Sequence, residues 1–222
     1  MNRTQFSLVA FAACASVAFL VWATREAPAD HRLARQLVLY YTLSRVNDPI
    51  IVIGDSIVEA STLPRSTCGH SIVNAGLSGA STASDLGSWL APTLDGKRAA
   101  LIVVSLGVND ALASAPQSKA NFEDRYGALL ALLSKLTTQL AVLEIPPVEA
   151  QGRMTVKMQD EVMRTVNAYN SILPDLARRN GATFLALPAV PKPYTIDGVH
   201  FNSDGYLAWD KAVMQAAAMI CG

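Results

Sequence analysis

Net charge is the first thing this sequence lacks, because its 18 basic residues balance its 18 acidic ones. A chain with no excess of positive charge offers neither a nucleic-acid-binding face nor a polybasic patch for anionic membranes. The 222 residues also contain no change in composition that would separate two domains. We therefore expect one domain with a single sizeable hydrophobic core, and no nucleic acid among its partners.

Cysteine is scarce, and its three examples are Cys14, Cys68 and Cys221. No two of these cysteines lie at the spacing that zinc sites require, so the cysteines do not indicate a metal site. Cys14 falls within an apolar N-terminal segment that we expect to direct the chain out of the cytoplasm. In an oxidising compartment the remaining two cysteines can pair, and we predict a disulfide between Cys68 and Cys221.

Charged side chains are absent between Arg3 and Arg25, and residues 6–23 are almost wholly apolar. Two interpretations of this stretch stay open. It is either a signal peptide, cleaved after small residues at 21–23 or 27–29, or an uncleaved helix that attaches the protein to a membrane. Both interpretations predict an extracytoplasmic protein, periplasmic or secreted.

The segment after this stretch has the spacing of an amphipathic helix. Its apolar positions recur at intervals of three and four residues, at Leu33, Leu37, Tyr40 and Tyr41. We expect the helix to pack on the domain as a connector. The sequence thus divides into a signal peptide or anchor, a helical connector and one domain, over residues 1–24, 25–47 and 48–222.

Five apolar runs alternate with helical patterns along the domain. The predicted strands cover residues 49–54, 70–76, 99–106, 140–145 and 182–187. The predicted helices cover 81–90, closed by Pro92, then 119–136, 154–179 with a break at Pro174, and 203–220, capped by Ser203 or Asp204. Parallel neighbours need right-handed helical crossovers. We therefore predict an α/β fold with a five-stranded parallel sheet in the order 2-1-3-4-5.

The first apolar run is the most informative, because it ends in Gly54, Asp55 and Ser56. Ser56 would lie at the carboxyl end of a central strand, where open α/β sheets bind their ligands. In isolation Asp55 and Ser56 are typical helix-capping residues. The residues that follow the other strands favour a nucleophilic role for Ser56 and leave Asp55 a structural one.

A serine nucleophile needs a nearby base, and the sequence has only three histidines. His31 lies in the connector, and His70 begins a strand, at the end of the sheet away from Ser56. His200 precedes the last helix, three residues after Asp197. A carboxylate at Asp197 can accept Nδ1–H of the imidazole and leave Nε2 facing the serine. We predict His200 as the base and Asp197 as its orienting acid.

Acyl transfer also needs hydrogen-bond donors for the oxygen that becomes negative in the tetrahedral intermediate. The natural candidates are the backbone N–H groups of Ser56 and Gly76 and the side-chain amide of Asn109, which follow three neighbouring strands. A glycine at position 76 lets the main chain approach a substrate closely. Each residue alone is also typical of a turn or a helix cap, but their combination favours one shared site.

These sequence blocks together resemble those of the SGNH hydrolases, also called the GDSL esterase/lipase family. The blocks are Gly-Asp-Ser at 54–56, Asn-Ala-Gly at 74–76, Gly-Val-Asn-Asp at 107–110 and Asp-Gly-Val-His at 197–200. Ile57 departs from the pattern, since the family has leucine there. The resemblance implies a flavodoxin-like three-layer α/β/α sandwich and a Ser-His-Asp hydrolase that uses neither a metal nor an organic cofactor.

The same resemblance implies a role for each candidate residue. It makes Ser56 the nucleophile, His200 the base and Asp197 the orienting acid, with Gly76 and Asn109 as oxyanion donors beside the Ser56 N–H. We therefore predict an exported serine esterase that forms an acyl-enzyme. Its expected substrate is a short-chain ester or an O-acetylated glycan.

Three alternatives to this function stay open. A lysophospholipase or acyl thioesterase needs an acyl channel, which Leu77, Leu86, Trp89 and Leu90 would line if they do not simply pack in the core. An O-acyltransferase would resolve the acyl-enzyme with a sugar hydroxyl instead of water. A catalytically inactive binding protein would keep the fold without the chemistry.

Overall fold

The computed structural model describes residues 28–113, 115, 116 and 118–221. The predicted signal peptide or anchor, at residues 1–24, lies outside them. Residues 1–35 form one compact unit, whose described part is the first half of a helix, and residues 36–222 form another. Among the described residues, no helix combines the length and the apolar character needed to cross a membrane.

The second unit is built on six strands. They are β1 (Ile50–Gly54), β2 (Ser66–Thr67), β3 (His70–Gly76), β4 (Ala99–Ser105), β5 (Thr137–Leu143) and β6 (Thr183–Leu185). Their order is β2-β3-β1-β4-β5-β6, and all neighbours are parallel except β2 and β3. The five parallel strands thus have the predicted order. The central strand β1 is buried throughout, as its unbroken apolar run predicts.

The sheet has one strand more than the sequence predicts. The short strand β2 pairs antiparallel with the start of β3, where Thr67 lies opposite His70. The turn between them is made by Cys68 and Gly69, which have positive φ angles of 49° and 81°. A strand of two residues is too short to show the alternation by which strands are recognised. The sheet is therefore mixed, with six strands instead of five parallel ones.

Cys68 of that turn forms a disulfide with Cys221, the pairing that the sequence predicts. The two cysteines are 153 residues apart. A cross-link over such a long loop acts mainly by restricting the unfolded chain, and typically stabilises a fold by about 2 to 4 kcal/mol. The bond fastens the end of the last helix to the edge of the sheet.

Eight helices are found in the described residues. They are α1 (Pro28–Leu43), α2 (Ser56–Glu59), α3 (Leu86–Leu94), α4 (Val108–Leu112), α5 (Lys119–Leu133), α6 (Val156–Asn170), α7 (Leu173–Arg179) and α8 (Ser203–Ala218). The connections from β3 through β6 step across the sheet in one direction, so right-handed crossovers place α3, α5, α6 and α7 on one face. Helix α8 contacts β4 and β5 on the other face. The predicted α/β/α sandwich is confirmed.

Helix α3 starts and ends later than predicted. Ser81 and Ser84 form a turn before it, in which the Ser84 N–H donates to the Ser81 carbonyl at 3.0 Å. The helix begins at Leu86 and continues through Pro92, which was expected to close it. Proline this close to a helix end removes one backbone hydrogen bond without ending the helix at once.

The last helix has a different cap from the predicted one. Oδ1 of Asn202 accepts the N–H groups of Asp204 and Gly205, both at 3.0 Å, so neither Ser203 nor Asp204 is the capping residue. Asparagine is as good an N-cap as serine or aspartate, and three such residues in a row give no basis for choosing among them.

Helix α1 buries a different face from the predicted one. Leu39 and Leu43 are each 1% exposed and belong to the core, whereas the predicted contact positions Leu33, Leu37, Tyr40 and Tyr41 are exposed. Both faces of α1 carry apolar residues at helical spacing. Spacing alone therefore cannot tell which face packs.

The carboxyl ends of the three central strands lie level with one another. Gly54 pairs with Gly76 on one side and with Ser105 on the other. A Cβ atom at position 54 would lie 1.9 Å from the backbone oxygen of Ser105, so only glycine fits there. The loops that follow these strands consequently meet at one edge of the sheet.

Candidate active site

Ser56 lies at the turn from β1 into α2. Oδ1 of Asp55 caps the helix by accepting the N–H of Ile57 at 2.9 Å. Ser56 is the first residue of α2 and is half-buried. The capping role therefore belongs to Asp55, and the hydroxyl of Ser56 makes a different contact.

The Ser56 hydroxyl begins a chain of two hydrogen bonds. Its Oγ lies 2.9 Å from Nε2 of His200, a residue 144 positions away in the sequence. Nδ1 of His200 lies 2.7 Å from Oδ2 of Asp197. With the proton on Nδ1 donated to the carboxylate, Nε2 can accept the serine proton. The structure thus brings together the serine, histidine and aspartate that the sequence singles out.

The loop that carries Asp197 and His200 is folded back on itself. Oδ1 of Asp197 accepts the N–H groups of Val199 and His200 at 3.0 and 2.8 Å. The N–H of Ile196 donates to the His200 carbonyl at 2.8 Å, and Gly198 turns the chain with a φ of 98°. These contacts hold the carboxylate and the imidazole in a fixed mutual orientation.

The side chain of Glu149 holds this loop in place through hydrogen bonds, a role that the sequence does not predict. Its carboxylate is buried, and Oε2 accepts the N–H groups of Tyr194 and Thr195 at 2.9 and 2.8 Å and the Thr195 hydroxyl at 2.7 Å. Its own N–H donates to the carbonyl of Gly198 at 2.8 Å. A single acidic residue after two prolines carries no signal of such a role, because its partners lie about 45 positions further along.

The contacts of Asp197 also set its charge. Partial burial opposes ionisation, but hydrogen bonds from the His200 ring and from the N–H groups of His200 and Val199 outweigh it and lower the pKa of Asp197. An ionised Asp197 stabilises the positive charge that His200 acquires when it accepts a proton. The pair is therefore suited to general-base work.

Gly76, a predicted oxyanion donor, does not line the cleft beside Ser56. It is buried at the end of β3, and its N–H donates to Oδ1 of Asn74 at 2.9 Å. A Cβ at position 76 would lie 2.1 Å from the backbone nitrogen of Glu59, so the glycine allows α2 to pack closely on β3. The prediction is corrected on this point, because the amide is used within the fold.

Gly79, three residues further on, lies in the cleft instead. It lines the cleft together with Ser56 and Asn109, and it is exposed with a φ of 76°. Within the part of the chain that the structure describes, its N–H has no hydrogen-bond acceptor. Nδ2 of Asn109 donates one hydrogen to the carbonyl of Ala80 at 2.9 Å, which leaves its second hydrogen available.

Two buried carboxyl groups support this edge of the sheet. Asp110 accepts the hydroxyl of Thr82 at 2.6 Å and its N–H at 3.1 Å, which fastens the loop after Gly79 to α4. Asp55 is only 2% exposed. Its burial raises the pKa of Asp55 to about 7, against the opposing effects of the Ile57 N–H and of His200.

The raised pKa of Asp55 predicts a pH-dependent stability. An unfolded aspartate ionises near pH 4, but folded Asp55 keeps its proton up to about pH 7. Its contribution to the free energy of unfolding is therefore full below about pH 4 and is lost as the pH rises towards 7. Urea denaturation of wild type and Asp55→Asn at pH 5 and pH 8 should show the variant gaining relative stability at pH 8.

The control for this prediction is the same change at Asp124, which is exposed on α5. Asp124→Asn also removes one carboxyl group, but it should leave the difference from wild type similar at both pH values. If Asp55→Asn behaved in the same way as the control, the buried carboxyl would not be the source of the pH dependence.

The cleft over Ser56 has a volume of about 510 Å³. Besides the residues described above, it is lined by Ser78, Leu112, Arg153, Met154 and Met158. The four candidates for an acyl channel, Leu77, Leu86, Trp89 and Leu90, are buried in the core, which confirms the packing interpretation for them. In the described ranges, no three side chains of His, Cys, Asp or Glu are grouped as metal ligands.

Several solved protein structures are similar to this chain. A Streptococcus pneumoniae protein provisionally named as a platelet activating factor is 25% identical, with a TM-score of 0.69 over 89% of this chain and 98% of that one. A GDSL-like lipase of Bacteroides thetaiotaomicron is 17% identical, with a TM-score of 0.65 over 83% and 97%. An acetylxylan esterase of Geobacillus stearothermophilus is 16% identical, with a TM-score of 0.56 over 77% and 94%.

No curated protein has a sequence that matches the chain. The model of the GDSL-like lipase/acylhydrolase family, however, matches residues 52–208. That segment is more than half of the chain and contains all four sequence blocks. The structures of related proteins share its fold. The chain therefore belongs to the GDSL-like lipase/acylhydrolase family of ester-hydrolysing enzymes.

Proposed function

We propose that the protein is a serine esterase that works through an acyl-enzyme. The observation that carries this proposal is the continuous hydrogen-bond chain from Ser56 through His200 to Asp197. A free serine hydroxyl is a poor nucleophile at neutral pH, and this chain supplies the base that activates it. Membership of an ester-hydrolysing family agrees with that chemistry.

In the first half of the reaction, Ser56 Oγ attacks the carbonyl carbon of the ester while Nε2 of His200 takes the hydroxyl proton. The carbonyl oxygen becomes an oxyanion. When the tetrahedral intermediate collapses, the bond to the alcohol oxygen breaks and His200 returns the proton to that oxygen. In the second half, water attacks the acyl-enzyme with the same assistance and releases the acid and free Ser56.

Three donors are proposed for the oxyanion: the N–H groups of Ser56 and Gly79 and the side-chain amide of Asn109. All three residues line the same cleft. One such donor typically contributes about 3 to 4 kcal/mol to lowering the barrier. Gly79 takes the place that the sequence assigns to Gly76, since its N–H has no acceptor among the described residues.

The proposed substrate is a short-chain ester or an O-acetyl group on a glycan. The apolar residues that would form a long acyl channel are buried in the core, and the cleft beside Ser56 is open. An enzyme with the same fold is an acetylxylan esterase. A small acyl group with a polar, extended alcohol fits this arrangement better than a long acyl chain does.

An extracytoplasmic location is proposed with this function. The disulfide between Cys68 and Cys221 supports it, because such bonds persist in oxidising compartments. The apolar, uncharged stretch at residues 6–23 supports export in the same direction. Two predictions stay open for that stretch, which lies outside the described residues. It is either cleaved as a signal peptide or retained as a helix that attaches the protein to a membrane.

Labelling with a fluorophosphonate probe tests the proposed function. Wild type should be labelled on one serine, and Ser56→Ala should not be labelled. Ser78→Ala is the matched control, because Ser78 is the other serine that lines the cleft and its hydroxyl donates to Glu59 at 2.8 Å. Folded wild-type protein that resisted the probe would contradict the proposal. A panel of p-nitrophenyl esters then measures how activity falls with acyl length.

A further inference from the structure

Among the described residues, Arg153 is the one charged residue that lines the cleft apart from the Asp197 and His200 pair. Its guanidinium forms no hydrogen bond or ion pair with any residue that the structure describes. The nearby carboxylate of Asp197 is occupied by the imidazole and by two backbone N–H groups. A free guanidinium is thus available to whatever enters the cleft beside Ser56.

The backbone that carries Arg153 is held against the loop of Asp197. Gly152 has a φ of 58°, and a Cβ built there would contact the Asp197 backbone at 3.6 Å. Nε2 of Gln151 donates to the carbonyl of Ile196 at 3.3 Å. The segment before α6 and the loop of the base are therefore in contact, which places the backbone of Arg153 beside the loop that carries His200.

The groove that continues from the cleft has more basic than acidic side chains. This groove shares Leu112 and Met158 with the cleft. Its charged side chains are Lys119, Glu161 and Arg164. Clefts in which one sign of charge predominates attract ligands of the opposite sign. The groove is therefore suited to an anionic ligand, although the whole chain has no net charge.

We propose that Arg153 binds an anionic group of the substrate, and that the enzyme prefers esters of acidic over neutral alcohols. This inference rests on the proposed esterase function. The planar guanidinium offers paired N–H donors that match the oxygens of a carboxylate or a phosphate. Suitable substrates are an acylated acidic sugar, with a carboxylate, and an acylated sugar phosphate, with a phosphate.

Steady-state kinetics with matched acetyl esters test the inference. The three substrates are an O-acetylated methyl glucoside, the corresponding methyl glucuronoside and the corresponding glucoside 6-phosphate, and released acetate is measured. Wild type should have a kcat/KM about tenfold higher for an anionic ester than for the neutral one, as a charge-assisted contact provides. The two anionic esters show whether carboxylate or phosphate is the better ligand.

In Arg153→Gln the ratio of kcat/KM for anionic and neutral esters should fall to about one. Lys157→Gln is the matched control, since it removes a positive charge four residues away at an exposed position outside the cleft. The control should keep the wild-type ratio. A wild-type ratio near one, or the same loss of preference in Lys157→Gln, would overturn the role of Arg153 while leaving the esterase proposal intact.

A binding measurement separates this inference from the esterase proposal. Ser56→Ala is titrated calorimetrically with the acetylated glucuronoside and with the neutral glucoside, and the Ser56→Ala/Arg153→Gln double variant is compared. Tighter binding of the acidic sugar, lost in the double variant, supports the anion contact even if no ester is hydrolysed by wild type. Equal binding of both sugars by Ser56→Ala overturns it.

Discussion

Replacing His200 with alanine is expected to lower kcat for ester hydrolysis by about four orders of magnitude. Nε2 of the imidazole is the proton acceptor, 2.9 Å from Ser56 Oγ. Among the described residues, only Asp197 is hydrogen-bonded to the other ring nitrogen, Nδ1. Because the side chain is 39% exposed, the variant should fold normally. Turnover of p-nitrophenyl acetate and a thermal unfolding curve measure the two effects separately.

His70→Ala is the matched control for this experiment. Nδ1 of His70 lies 2.7 Å from the backbone oxygen of Asp48, at the opposite ends of the strands from Ser56. The control should keep wild-type turnover. Folded His200→Ala protein with more than about a tenth of the wild-type rate would remove His200 from the mechanism.

Replacing Gly54 with alanine should have the largest effect on stability, lowering the free energy of unfolding by about 4 kcal/mol or more. The added methyl group would lie 1.9 Å from the backbone oxygen of Ser105 and 2.6 Å from Cγ2 of Val58. A strand backbone at the centre of the sheet cannot move aside without breaking its own ladder. Since many domains are stable by only about 5 to 15 kcal/mol, little folded protein is expected.

The same substitution at Gly127 provides the control with the opposite sign. Gly127 lies within α5, and a Cβ there would make an ordinary contact of 3.4 Å with Leu176. Gly127→Ala should therefore stabilise the protein by up to about 1 kcal/mol through helix propensity. Chemical denaturation measures both variants. A Gly54→Ala protein as stable as Gly127→Ala would show that β1 can shift away from β4.

The parallel part of the sheet was predictable because its strands are buried on both faces. A run such as residues 49–54 stays apolar at every position. It can therefore be recognised as a buried strand although polar and apolar residues do not alternate in it. The five parallel strands have the predicted order, and right-handed crossovers then decide on which face of the sheet each connecting helix lies. The edge strand β2 has neither an apolar run nor a helical crossover, since it is two residues long and held by a turn.

The candidate site was predictable where chemistry demands particular residue types. Histidine is rare in this chain, and His200 has Asp197 three residues before it, at a position from which its carboxylate can orient the imidazole. No residue type distinguishes Gly79 from the predicted donor Gly76, because both are glycines near the end of the same strand. Where β3 ends decides between them: Gly76 still belongs to the strand, and the exposed turn comes three residues later.

Helix α1 and Glu149 show a different limit. Periodicity alone cannot identify Leu39 and Leu43 as the buried residues, because the exposed surface of α1 carries apolar residues at helical spacing as well. The role of Glu149 depends on partners at Tyr194 and Thr195. Contacts between such distant segments exist only once the fold brings them together, and no local pattern encodes them.

The bond between Cys68 and Cys221 closes the chain between these two residues, which is most of the domain, into one covalent ring. Gly79, Asn109 and His200 all lie within this ring, whereas Ser56 lies on the chain that enters it. A protease that cut any single loop between the two cysteines would open the ring without releasing a fragment. The two pieces would stay joined through sulfur, so the residues gathered around Ser56 would remain tethered to it after a cut.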